Sequence, residues 1–68
     1  MLSFSVARNG KTIQIDCDHA GLGDLLATLE GLKRSATHVH LRSPKELSDK
    51  TPWGEPAVPE VIITIGGD

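Results

Sequence analysis

Very little of this 68-residue chain is aromatic: there is no tyrosine, one phenylalanine, Phe4, and one tryptophan, Trp53. A core without large rings must be assembled from aliphatic side chains, and at this length such a core is thin. Cys17 is the single cysteine, which excludes an intrachain disulfide. No apolar run approaches membrane-spanning length, and no basic stretch followed by an apolar run suggests a signal peptide. The cytoplasm is the expected compartment. Seven basic against nine acidic residues leave a formal charge of −2, without the basic stripe that phosphate backbones require. The sequence therefore predicts neither nucleic-acid nor membrane binding, while a mildly acidic surface suits a basic protein partner. A second copy or a bound partner would reinforce so small a core, so a homodimer is also possible.

The clearest periodicity runs from Asp18 to Arg34. Leu22, Leu25, Leu26, Leu29 and Leu32 recur at steps of three and four, the spacing of one helical face. Asp18 stands where an N-cap belongs, and Lys33 and Arg34 where the helix dipole favours cations. Gly23, Ala27 and Gly31 form a small-residue row on the opposite face. It reads as glycines tolerated near the helix ends, or as a strip that another backbone approaches; membranes are where such rows carry most weight.

Ahead of the helix, Leu2, Phe4 and Val6 alternate with Ser3 and Ser5, and Ile13, Ile15 and Cys17 alternate with Gln14 and Asp16. Between them, Asn9-Gly10 predicts a type I′ hairpin. Pairing Arg8 with Lys11 sets Val6 against Ile13, Phe4 against Ile15 and Leu2 against Cys17, with Ser5–Gln14 and Ser3–Asp16 on the other face. Cys17 is accordingly expected to pack in the core. After the helix, residues 37–41 read as a strand with Val39 and Leu41 inward and His38 and His40 outward. Ser43-Pro44-Lys45-Glu46 has the form of a capping box opening a helical turn through Leu47. A long irregular loop, 42–59, leads to a last strand, 60–65, before Gly66-Gly67. In that strand Val61, Ile63 and Ile65 point inward and Ile62 and Thr64 outward. The expectation is one α+β domain over residues 1–68, in ββαββ order: hairpin 1–17, helix 18–34, strand 37–41 and strand 60–65. The four strands would form one sheet, with the helix on one face and the other face open.

Chemistry is sparse. His38 and His40, at i and i+2, project the same way and could share a Zn²⁺, with Asp16 on the same open face and His19 nearby. Two ligands rarely hold a metal alone, so metal-free, partner-facing histidines are the stronger reading and no cofactor is expected. No nucleophile lies in a recognisable context and no glycine loop opens a helix, so catalysis is not expected. Trp53, bracketed by Pro52 and Pro56, is either an interface anchor or a cover for the sheet.

Gly21-Leu22 with the spaced leucines, then His38-Val39-His40-Leu41, Leu47-Ser48 and Val61-Ile62-Ile63, resemble the immunity protein 32 family of bacterial polymorphic toxin systems. The resemblance covers the second strand to the fourth, with His-x-His-Leu its most specific part and a longer Trp53 loop its main departure. It implies a cytoplasmic protein that binds a cognate toxin domain and neutralises it by occlusion. His38, His40, Asp16 and Trp53 are the expected contact residues. The alternative is a metal-binding or homodimerising domain that uses the His-x-His strand.

Overall fold

The structure, a computed structural model, describes residues 1–35 and 37–66; Gly67 of the closing Gly-Gly pair lies outside them. Its elements follow the expected ββαββ order: β1 (Leu2–Val6), β2 (Ile13–Cys17), α1 (His19–Arg34), β3 (His38–Arg42) and β4 (Glu60–Thr64). Strands β1 and β2 pair antiparallel in the expected register, Leu2 with Cys17 through Val6 with Ile13. Alternation and a glycine turn of fixed length leave that hairpin no other apolar-on-apolar pairing.

The turn itself differs from expectation. A type I′ turn needs positive φ at both central residues, yet only Gly10 has it, at 70°, and no non-glycine residue does. The Gly10 N–H instead donates to the Ala7 carbonyl at 2.8 Å, and the Ala7 N–H donates to the Thr12 carbonyl. Asn9 keeps an ordinary φ because its side-chain oxygen accepts from the Lys11 N–H, an Asx arrangement that stabilises the wider loop.

The single four-stranded sheet is replaced by two two-stranded sheets, β1–β2 and β3–β4. The cause is visible at the outer edge of β1. The Ser48 N–H donates to the Leu2 carbonyl and the Val58 N–H to the Phe4 carbonyl, each at 2.8 Å. Irregular backbone from loop 43–59 thus occupies the positions a neighbouring strand would have used. The two bonds flank Ser3, which is fully buried with no partner for its hydroxyl. The expected helical turn at 43–47 is also absent. Leu47 N–H bonds the Arg42 carbonyl, and the Glu46 carboxylate accepts from Arg42 N–H, so it caps the end of β3 instead of opening a helix.

The core gathers Leu2, Phe4, Leu41 and Leu47, with Leu25, Val39, Val58, Val61 and Ile63 packed against it. Leu47, at 1% exposure, is its most enclosed aliphatic side chain. Asp18 caps the helix as expected, accepting from the Gly21 N–H at 2.8 Å, and the N-terminal ammonium donates to the same oxygen. The leucine stripe, however, is only half used. Gly21 and Leu32 are buried and Leu25 and Thr28 partly so, a line at i, i+4, i+7 and i+11. Leu22, Leu26 and Leu29 lie roughly a quarter-turn away at 100° per residue and remain exposed. The axis of α1 is fixed by Gly21, where a Cβ would come within 1.7 Å of the Met1 carbonyl oxygen. This contact holds the first turn of α1 against the start of β1, while the helix leaves the apolar side chains of β2 largely uncovered. Ile13, Ile15 and Cys17 are therefore exposed, against expectation. Ile65 is exposed too, since β4 ends one residue before it.

Five substitutions test this packing. Gly21→Ala should destabilise by roughly 1–3 kcal/mol, because the obstruction is backbone. Gly23→Ala and Gly31→Ala, which meet nothing within 4 Å, should each stabilise by about 0.5–1 kcal/mol. Ser3→Ala should be neutral or stabilising, since it removes an unpaired buried hydroxyl. Leu47→Ala, by contrast, should cost about 2–5 kcal/mol, most of what a domain of this size possesses. Urea unfolding of each variant gives the comparison.

Candidate partner-binding site

Strands β3 and β4 pair antiparallel, His40 with Ile62, Arg42 with Glu60 and His38 with Thr64. Val39, Leu41, Val61 and Ile63 point into the core, so strand alternation sends His38, His40, Arg42, Glu60, Ile62 and Thr64 to the outer face. The two histidines meet there edge to face, with ring centroids 5.2 Å apart. Glu60 organises the group: its Oε2 accepts from Arg42 Nε at 2.7 Å and lies 3.1 Å from His40 Nδ1. The Arg42 guanidinium, and after it His40, holds the Glu60 carboxyl below the usual carboxylate range. Thr37 Oγ1 lies 3.3 Å from His38 Nδ1.

This arrangement is suited to recognition. It presents a fixed carboxylate, a guanidinium with further donors and two imidazoles beside the exposed Ile62. Among the described residues no group of three or more His, Cys, Asp or Glu side chains is arranged to hold a metal ion. Glu60 was outside the expected site. Its signal was in the sequence, because Glu60 opens the last strand as Arg42 closes the previous one, but it emerges only once the register between those strands is known.

The other expected contact residues fall elsewhere. Asp16 belongs to the first hairpin, where both of its carboxylate oxygens accept from the Gln14 amide nitrogen; with two sheets in place of one, it shares no sheet with the histidines. Trp53 does not fold over a sheet: it is 73% exposed. Its loop is nonetheless braced. Thr51 and Glu55 bond through the backbone, Gly54 turns at φ 83°, and Thr51 Oγ1 accepts from the N–H groups of Trp53 and Glu55. Lys50 and Pro56 form an isolated bridge beneath it. Trp53 borders a shallow groove of about 240 Å³ together with Ser5, Arg8, Gln14, Glu55 and Pro56. The structure thus joins His38 to His40, and Trp53 to the Gln14–Asp16 side of the first hairpin.

No family model, no curated protein and no solved structure matches this chain. No helix among the described residues is long and apolar enough to cross a membrane.

NMR titration of the Glu60 carboxyl tests the cluster. Its midpoint should lie below the usual glutamate range in the wild type, rise most in Arg42→Ala and less in His40→Ala. A carboxyl depressed in the folded state contributes stability that is present above its unfolded value and lost as pH falls through the folded one. Glu60→Gln should therefore flatten the acid side of the stability profile.

Proposed function

We propose that this protein works by presenting a surface to a protein partner, as an immunity-type protein that binds a cognate toxin domain and neutralises it by occlusion. The observation that carries the protein-binding part is Trp53. A lone tryptophan held largely in water on a hydrogen-bonded loop has lost flexibility without gaining core contacts, and tryptophan is the residue most enriched at binding hot spots. The outer face of β3–β4 supports the same reading, with His40 and Arg42 pre-ordered by hydrogen bonds to Glu60 and His38 packed edge to face on His40, beside Ile62. Pre-ordering lowers the entropic cost of docking.

The toxin as partner rests on the resemblance carried by His38-Val39-His40-Leu41 and the leucine helix. Under this reading occlusion is steric, mild acidity aids encounter with a basic toxin, and no metal or cofactor takes part. The residues proposed for contact are His38, His40, Asp16 and Trp53.

Calorimetric titration against the toxin domain encoded by the neighbouring gene, with and without EDTA, provides the test. The expected result is one-to-one binding that is indifferent to chelator. Trp53→Ala should weaken it by at least 2 kcal/mol, the threshold of a hot spot; His38→Ala and His40→Ala should each have a smaller effect. Absence of binding refutes the toxin reading, and binding abolished by EDTA refutes its metal-free mechanism.

A further inference from the structure

Along the free edge of β2, unpaired backbone and a row of exposed apolar side chains coincide. Two hydrogen bonds fix the phase of the β1–β2 ladder: Ala7 N–H to the Thr12 carbonyl, and Asp18 N–H to the Met1 carbonyl. In an antiparallel pair the bonded residues alternate, so Gln14 and Asp16 direct their backbone groups at β1. Ile13, Ile15 and Cys17 direct theirs away, and among the described residues no strand pairs with that edge. The same three residues carry side chains on the face shared with Leu2 and Phe4, the face that meets α1. Ile13 is 65% exposed and Ile15 49%.

Above them run the helix leucines that the core does not use. Leu22 borders a shallow hollow with Cys17 and His19, whereas Asp24 and Thr28 border a groove with Leu2 and Leu41 on the opposite flank. The stripe of Leu22, Leu26 and Leu29, exposed at 44%, 54% and 40%, is thereby placed on the β2 side. An edge strand with an exposed apolar face, no bulge and Asp16 as its single charge is weakly protected against pairing, a condition monomeric sheets avoid.

We propose that β2 pairs antiparallel with β2 of a second copy about a two-fold axis through Ile15. That register sets Ile15 against Ile15 of the second copy, Ile13 against its Cys17 and Gln14 against its Asp16. Ile13, Ile15 and Cys17 supply outward N–H and C=O groups on both strands, enough for about six inter-strand bonds. The product is one four-stranded sheet, in the order β1, β2, β2, β1. Both helices lie on the same face, with their leucine stripes directed at each other over the isoleucines.

Self-complementarity selects this occupant: apolar meets apolar on one face, and amide meets carboxylate on the other. Area is consistent with it. The five exposed Ile and Leu side chains leave on the order of 400 Å² apolar per copy, within the range of patches that mark interaction sites. Two such patches plus the edge backbone reach the roughly 1,000 Å² that a specific interface needs. The interface leaves the outer face of β3–β4 and Trp53 free and engages, of the residues proposed for toxin contact, only Asp16; no step leading to it rests on the toxin reading.

Sedimentation equilibrium of the full chain, 7.3 kDa, from about 10 μM to about 1 mM is the test. The expected result is a reversible rise to twice that mass. Ile15→Lys, which sets like charges together at the axis, and Leu26→Glu should each weaken association at least tenfold while circular dichroism stays native. Leu26→Glu, at a helix surface position, carries the test if the strand variant unfolds. The register has its own check. Under oxidised glutathione, Ile13→Cys should form a disulfide-linked dimer through Cys17 of the other copy, whereas neither the wild type nor Ile13→Cys/Cys17→Ser should do so. A chain that stays monomeric at the highest concentration, or a dimer indifferent to both Ile15→Lys and Leu26→Glu, overturns the proposal. Equal cross-linking of the wild type overturns the register.

Discussion

Two backbone hydrogen bonds, Ser48 N–H to Leu2 O and Val58 N–H to Phe4 O, are the constraint on which this architecture depends. They close the outer edge of β1 with irregular chain and so prevent the two hairpins from merging into one sheet. They also bring Leu47 and Val58 against Leu2 and Phe4, giving a core with few aromatics the aliphatic volume it lacks. A buried backbone group without a partner costs about as much as a lost hydrogen bond, so a loop satisfying β1 on one side and filling the core on the other is strongly held. The long loop is therefore a structural layer as well as the support of Trp53.

A second constraint follows from Gly21. Close approach of the helix to the Met1 carbonyl anchors its first turn to the start of β1, while Ile13, Ile15 and Cys17 of β2 stay exposed. At the glycines that stood out in the sequence, Gly23 and Gly31, an added Cβ would meet nothing within 4 Å; the glycine in close contact with another segment, Gly21, lies within the first turn.

Local pattern made much of the fold legible. The first hairpin's register follows from period-two alternation around a turn, and α1 from its leucine spacing, its cap and its closing cations. What alternation cannot encode is which strand edges meet, because inward and outward positions are the same in one sheet or two. Nor could periodicity announce that Ser48 and Val58, in a segment without any, would act as a strand's neighbour. The same limit divides the site. His38 and His40 share a face by spacing alone, so their juxtaposition was readable. Glu60 enters only through cross-strand register, and the union of Asp16 with the histidines required the single sheet that does not form. For Trp53 the sequence left two roles open, and the braced loop that holds it in water disfavours the covering one.

The placement of Trp53 also decides what light can report about this molecule. It is the only indole in a chain without tyrosine, and it is largely hydrated while the chain is folded. Emission from such a ring is already that of an aqueous environment, so unfolding the core alters its surroundings little. Tryptophan fluorescence is thus a poor gauge of global denaturation here. It is a selective one for events at the 51–56 loop, where any molecule that settles on the indole must change its solvation directly.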